Sequence, residues 1–377
     1  MRIKDGMVKC SICKELFLYN SHSIYRLKKG KGGTTVYYCS YTCWRKAGGI
    51  NERRIKIMKV IGQSGKLMIP ESPMKHIEKI GRICYKSEDK ITDGTDRKFV
   101  RMLLNNNHRA MIEHYRFIME VSPMIWEPLE VIKHDHIQMT HCNFNGRDDR
   151  FVISFNARAL MELPEKCDSH HHGVINMAIK GIVDELTSHI VRKYDCYELF
   201  GLDRNEPLPL LSTGVEFIDN SYEAMSDEEW LHHGWFSAHM ITDRGITHEI
   251  VRHREETSFA QESTRYCNYG LDKFDNEITV IGQGFCGEAE KYWRESVACA
   301  ESMYFELLEC GIKPQMARSV LPTCLKTEIV MTAPIFEWNH FFNLRMRGTT
   351  GAPHPMVQAL STEVYKDALN KLNIKEI

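Results

Sequence analysis

Three arginines and a histidine fall within fifteen residues of this chain: Arg252, His253 and Arg254, then, after EETSFAQ, the run Glu262-Ser263-Thr264-Arg265. Guanidinium forks match the paired oxygens of phosphates and carboxylates, and interleaved Ser, Thr and Gln add neutral hydrogen-bonding groups. Such a patch is costly in a core helix. It suits an anionic nucleotide or a flavin phosphate, the bland alternative being a salt-bridged surface helix. Two more arginines stand in apolar surroundings, Arg318 in QMARSVLP and Arg345 in FFNLR. A charge in such a setting is rarely left unpaired, so each is expected to face a cavity or a ligand. His108, Glu113 and His114 add titratable groups just before a strand start. The adjacent His170, His171 and His172 are poor joint ligands and read as an exposed loop.

The thirteen cysteines divide into two groups. Nine are scattered, Cys84, Cys142, Cys167, Cys196, Cys267, Cys286, Cys299, Cys310 and Cys324, and most read as small buried hydrophobes. The other four form two close pairs, Cys10-x2-Cys13 and Cys39-x3-Cys43. Two thiolate pairs at these spacings can close a tetrahedral Zn²⁺ site, and the segment between them, with GKGG at its middle, reads as a hairpin. A stretch of about fifty residues buries little core, so a metal staple has a physical purpose. The pattern resembles a treble-clef or zinc-ribbon module.

Charge divides the chain in the same place. Residues 1–56 hold 13 Lys+Arg and 3 Asp+Glu, while the remainder holds 36 and 47, so the total of −1 joins a basic head to an acidic body. The head's lysines and arginines either contact nucleic-acid phosphates or dock on the acidic body. With 43% hydrophobic and 26% charged residues, the composition excludes a disordered or collagen-like chain. No apolar run approaches a membrane span and MRIKDGMVKCSICKE has no apolar signal core, so a soluble cytoplasmic protein is expected, in a host cell if the source is a phage. The odd cysteine count fits reduced thiols there.

The elements that must position these residues read as α+β. The head occupies 1–50. The body, 57–377, starts with a strand at IKIMKVIG. Apolar spacing predicts helices from Pro73 to Lys86 and over Arg97–Asn107, then a turn and strand in HRAMIEHYRFIMEVS. Residues 123–230 are less regular. Helix is expected from Asp227 through Arg254 and over 289–310, the latter with Trp293, Val297, Ala300, Tyr304, Leu307 and Leu308 inward. TEIVMTA reads as a strand, and Trp338–Leu344 and Pro355–Leu372 as helices.

The blocks ITDRGITHEIVRHR, SFAQESTRYCNY, QMARSVLPTCLKTEIVMTA and EWNHFFNLR closely resemble those of the flavin-dependent thymidylate synthases, whose signature is RHR, seven residues, then Ser. IEKIGRICYKSED and FVRMLLNNNHRAMIEH extend the match, which covers about 57–121 and 236–375. The resemblance implies that family's mixed helix and antiparallel-sheet fold and a homotetramer with shared active sites. It implies FAD as cofactor and conversion of dUMP to dTMP, with carbon from 5,10-methylenetetrahydrofolate and hydride from NADPH through the flavin. By position Arg345 matches the arginine that favours ionisation of the uracil N3 proton. Ser263 and Arg265 match dUMP phosphate contacts, with Gln261 and Glu262 beside them. Arg318 and Glu249 match further dUMP contacts. Arg252, also assigned to dUMP, matches the flavin contacts with His253 and Arg254. His108 and Ala110 match positions near the flavin, to which Gln261 is also assigned, and His340 one near its adenine.

Three departures stand out. Eight residues, Glu255 to Glu262, separate Arg254 from Ser263, so one of Glu255, Glu256 and Thr257 must bulge, and two added carboxylates there could repel an anion. Pro334 and Phe336 replace Asn and Arg that touch FAD in relatives. Residues 123–230 are an insertion relative to compact members. These departures motivate a second reading, a nucleotide- or flavin-binding homologue with weakened catalysis; a third is a nucleic-acid binder acting through the head. Cys324 superficially suggests the cysteine nucleophile of the other thymidylate synthase class, but it stands in a flavin-family block.

Overall fold

In this computed structural model the described residues are 59–144, 147–166, 215–265, 267–271, 276–377, single positions 173, 176, 182 and 274, and four short head strands. The chain divides into two units, Met1–Val60 with Asn268–Pro322, and Ile61–Cys267 with Thr323–Ile377.

In the first unit, Met7–Lys9 pairs antiparallel with Leu16–Leu18, and Arg26–Lys28 with Thr35–Tyr37, Leu27 opposite Val36. The second pair is the hairpin expected around GKGG. Cys10, Cys13, Cys39 and Cys43 lie outside the described residues. So does the triple histidine of the second unit. The long helix Gly287–Glu309 buries only Val297 and Tyr304 of its expected apolar stripe.

The second unit is built on two antiparallel sheets. The first has strand order β7-β8-β6-β1: β1 is Ser64–Met68, β6 Trp235–Asp243, β7 Ser258–Gln261 and β8 Lys326–Pro334. β6 and β8 pair over their full length, Trp235 opposite Pro334 and Asp243 opposite Lys326. Alternation along β8 sorts its side chains. Ile329, Met331 and Ala333 join the core of α7 (Ile335–Phe342) and α8 (Pro355–Leu372), against Trp338, Phe341, Leu360 and Val364. Val330 joins Ile80 and Ile83 of α1 (Pro73–Tyr85). A Cβ on Gly65 would stand 2.4 Å from Val364 Cγ2, so glycine there lets α8 lie close on the sheet.

The second sheet has order β5-β2-β4-β3: β2 is Arg116–Val121, β3 Ile137–Phe144, β4 Arg147–Asn156 and β5 Val215–Phe217. Phe117, Met119, Ile153 and Phe155 pack with Met74 and Ile77 of α1, with Phe99, Val100 and Leu103 of α2 (Thr95–Asn105), and with Ile125 and Leu129 of α3 (Pro123–Ile132). Leu160 and Leu163 of α4 (Ala157–Lys166) complete this core. α1 therefore serves both sheets. Three strands of the second sheet come from the irregular-looking segment 123–230, which reads ambiguously because its periods are short and interrupted.

One expectation is corrected. The continuous helix from Asp227 through Arg254 is instead α5 (Asp227–His233), strand β6 and α6 (Arg244–Ile250). A Cβ on Gly234 would meet the Trp230 ring at 2.5 Å, which marks the break. β6 is buried on both faces, so it shows no alternation, and periodicity cannot separate such a strand from a buried helix. Among the described residues no helix is long and apolar enough to cross a membrane.

A polar line crosses the core: His76 Nε2 lies 2.9 Å from Ser237 Oγ, Ser237 Oγ 2.6 Å from Thr332 Oγ1, and Thr332 Oγ1 2.7 Å from His114 Nδ1. His233 Nδ1 lies 3.0 Å from Ser154 Oγ. Burial pushes these imidazoles down, His76 and His233 to about 3 and His114 to about 4, from 6.5. The unfolded chain then binds protons that the folded chain refuses. Stability is full above pH 6.5 and falls as pH drops from there toward about 4 and then 3. Each histidine contributes about 1.4 kcal/mol per pH unit in that window. Urea unfolding between pH 7.5 and 5 is expected to show this loss, with a shallower slope for His233→Gln; a flat profile would contradict the buried-neutral assignment.

Candidate active site

Two helices leave the first sheet from opposite ends of neighbouring strands. α6 follows β6 and is capped by Asp243, whose carboxylate accepts from the Ile246 N–H at 2.7 Å. α7 follows β8, Pro334 supplying the N-cap position. Beyond α7 the backbone widens into a π-turn, Asn343–Arg347, ended by Gly348 at φ +70°. Such widened turns recur at functional sites because they re-aim a side chain out of helical register.

Arg345 stands in that turn and reaches the end of α6. Its Nη1 donates to Glu249 Oε2 at 2.9 Å, its Nη2 to the Glu249 carbonyl at 3.1 Å, and its Nε to His253 Nε2 at 3.3 Å. A guanidinium only donates, so His253 Nε2 is the acceptor and the ring proton sits on Nδ1, facing Glu337 Oε1 at 3.2 Å. His253 and Glu337 are buried, and the exposed His340 ring lies edge-on to His253 at 5.3 Å. His253, Glu337 and His340 bring three potential ligand atoms within 4.8 Å of one another. The adjoining guanidinium opposes a cation there.

Arg252 and Arg254 are exposed on either side of His253, and no ion pair to either is found among the described residues. The extra residue of this turn is accommodated at Glu256, which adopts the left-handed conformation at φ +51° and turns inward onto Arg116, Nη1 to Oε2 2.7 Å. Only Glu255 adds an exposed negative charge, so the expected repulsion is halved.

The next turn is held from inside. The Ser263 N–H donates to the Cys84 carbonyl at 3.1 Å, and the Cys267 N–H to the Ser263 carbonyl at 3.0 Å. Glu262 is buried, its carboxylate 3.0 Å from Lys326 Nζ and 3.9 Å from Lys86 Nζ. Arg244 donates to its carbonyl at 2.8 Å. Glu328 completes the cluster with His239 at 2.9 Å and with both lysines. Burial alone would raise the Glu328 carboxyl, but the His239 hydrogen bond and the lysines hold it well below the carboxylate range. Gln261 Nε2 is tied to Thr247 Oγ1 at 3.0 Å and Thr327 Oγ1 at 3.3 Å. Glu262 and Gln261 thus spend their polar groups on the protein, while Ser263 is half-buried and Arg265 exposed.

Glu249, His253, His340 and Arg345 are brought together, with Arg252 and Arg254 on the same turn. His108 and Ala110 are exposed around the 3-10 turn Arg109–His114, with Tyr85 Oη 3.4 Å from His108 Nδ1. Arg318 belongs to the other unit. Phe336 packs on His232, ring centroids 5.9 Å apart. Cys324 is buried, which suits a small hydrophobe rather than a thiolate nucleophile. Sequence reasoning missed Glu337, Lys86, Lys326, Glu328 and Arg116. Glu328 alone left a signal, a charge inside an apolar strand.

A family model described as thymidylate synthase complementing protein matches residues 194–366. A flavin-dependent thymidylate synthase of Geobacter sulfurreducens is 31% identical over 184 residues, 46% of this chain and 77% of that protein. One from Pyrococcus furiosus is 38% identical over 106 residues, 27% of this chain and 42% of that protein. The chain thus spans less than half the length of that archaeal relative. The solved structure of a UMP/dUMP methylase from Streptomyces cacaoi, bound with 5-Br dUMP, aligns over 83% of this chain and 93% of its own at 13% identity, with a TM-score of 0.33.

Removing Lys326 leaves buried Glu262 with only the 3.9 Å contact to Lys86. Lys326→Met is expected to destabilise the protein by about 3 kcal/mol, the cost of an uncompensated buried charge. Chemical denaturation measures this, and a loss under about 1 kcal/mol would show that Lys86 alone suffices.

Proposed function

The chain belongs to the flavin-dependent thymidylate synthase family, and from that premise we propose that it methylates dUMP to dTMP. The observation that carries the reading is Arg345, suspended between Glu249 and His253 and flanked by two uncommitted guanidiniums, Arg252 and Arg254. That donor set fits FAD, whose diphosphate asks for two forked cations on an open turn. Arg252, Arg254 and His340 would hold the cofactor, with His108 and Ala110 near it; His253, assigned to the flavin by position, is buried with both ring nitrogens engaged and would act by backing the turn from inside. When bound, the flavin supplies the hydride, taken from NADPH, that completes the transferred carbon as a methyl group; 5,10-methylenetetrahydrofolate supplies the carbon.

The chain's own residues bind and polarise the pyrimidine. The Arg345 guanidinium stabilises negative charge developing on the uracil ring as N3 ionises, as preorganised donors do in an oxyanion hole. Glu249 holds that guanidinium in place and takes part in reading dUMP. His253, fixed as the Nδ1–H tautomer by Glu337, presents an acceptor to Arg345 and keeps its plane set. Ser263 and Arg265 are assigned to the phosphate, on a turn whose inner carboxylate is neutralised by Lys326 and Lys86. Gln261 and Glu262 act there by shaping the turn, and Arg318 is a further dUMP contact by position.

The weakened-homologue alternative loses one of its two motives once Glu256 is tucked onto Arg116; the replacement of two FAD contacts by Pro334 and Phe336 is the other. The resemblance also supports a homotetramer with shared sites. A cytoplasmic setting rests on composition, and Zn²⁺ on Cys10, Cys13, Cys39 and Cys43 rests on their paired spacing, as a module apart from the family's core. The excess of Lys and Arg in residues 1–56 is the ground for nucleic acid as that module's partner.

Purified protein is expected to be yellow and to make dTMP from dUMP with NADPH and the folate. Arg345→Ala should lower kcat by about 100-fold or more while FAD is retained, since a donor to developing charge acts chiefly in the transition state. Arg265→Ala should instead raise the KM for dUMP about 10-fold with kcat near normal. FAD-loaded protein that binds dUMP and makes no dTMP would restore the weakened-homologue reading.

A further inference from the structure

We infer that the second sheet and α4 position the flavin-side turn, through one buried acid–base pair and one serine–carboxylate link that make Glu256, Arg116 and Glu113 positioning residues for cofactor binding. The inference rests on the proposed FAD reading and assigns a role to 123–230, the segment expected from the sequence as an insertion.

The first link starts at the extra residue of the RHR turn. Glu256 holds φ +51°, a conformation that a residue with a Cβ keeps only when its surroundings hold it there. Arg116 at the start of β2 supplies the hold, 2.7 Å from Oε2, with side chains only 3% and 6% exposed. Arg116 is itself backed by β4 and α5. Its Nη2 lies 3.4 Å from Ser154 Oγ, and that hydroxyl lies 3.0 Å from His233 Nδ1. The second link starts two residues on. Ser258 Oγ donates to Glu113 Oε2 at 3.2 Å, and the other carboxylate oxygen accepts from Arg158 Nη1 of α4 at 2.6 Å. Arg158 Nε is set in turn by Glu162 at 2.6 Å. Glu113 belongs to the turn Arg109–His114, beside His108 and Ala110.

Residues 252, 254 and 255 are exposed, so the turn carrying the two free guanidiniums has little packing of its own. Beyond its backbone bonds to α6 and β8, its side-chain anchors are His253 on Glu337 and Arg345, Glu256 on Arg116 and Ser258 on Glu113. The last two run to the second sheet or to α4. A forked cation contributes to diphosphate binding only if its plane is held, and small displacements of a positioning group far from the chemistry cost large factors. The added glutamate is thus a tether rather than a source of repulsion.

The test compares FAD dissociation constants, read by flavin fluorescence well below each melting point, for wild type, Glu256→Ala, Glu256→Gln and Ser258→Ala. The Gln variant keeps an acceptor oxygen for Arg116, and Ser258→Ala removes one hydroxyl, so both remain informative if Glu256→Ala fails to fold. Glu256→Ala is expected to weaken FAD binding about 10-fold or more, with Glu256→Gln and Ser258→Ala each weakening it by a smaller, measurable factor. If all folded variants bind FAD within about 2-fold of wild type while melting lower, the links are structural only and the inference is overturned. Wild-type protein that takes up no FAD overturns the functional reading and this inference together.

Discussion

The contact between Arg345 and Glu249 closes two helices over one sheet. β6 is nine residues, about 30 Å. α6 with its seven residues spans about 10 Å from one end, and the eleven residues from Ile335 to Arg345 span about 16 Å from the other. The two runs leave opposite ends of paired antiparallel strands and share one core, Ile246 and Ile250 of α6 lying in the same cluster as Trp338 and Phe341 of α7. Over that shared core a guanidinium from one connection reaches the carboxylate and imidazole of the other. The π-turn supplies the last adjustment.

Charge is arranged in two layers around that meeting point. On the inside, acids and bases are matched: Glu337 on His253, Glu256 on Arg116, Glu113 on Arg158, and Glu262 and Glu328 on Lys86 and Lys326. Buried ions are tolerable only in such company, and removing a partner is costly. On the outside, Arg252 and Arg254 keep their forks open to solvent. An acidic body thereby presents a cationic face where an anionic ligand is proposed to bind.

Much of this was legible in the residues. Arg345 in an apolar helix announced a partnered charge, and the strand TEIVMTA and the helix Pro355–Leu372 declared themselves by composition and spacing. β6 did not, because a strand buried on both faces has no alternation. Residues 123–230 hid three strands, two of which pair with β2 in a long-range register that no local pattern encodes. Glu256 read as repulsion because its partner is 140 residues away. Glu337 was silent because its role depends on a histidine brought over it by tertiary packing.

On the proposed function the site performs chemistry on the uracil ring of dUMP and does not merely hold nucleotide and flavin. The most direct measurement is release of a hydrogen isotope from carbon 5 of labelled dUMP by the FAD-loaded protein with NADPH and 5,10-methylenetetrahydrofolate. Release in step with NADPH oxidation and dTMP formation is expected. NADPH oxidation with FAD and dUMP bound, and the label retained on the ring, would rule that chemistry out.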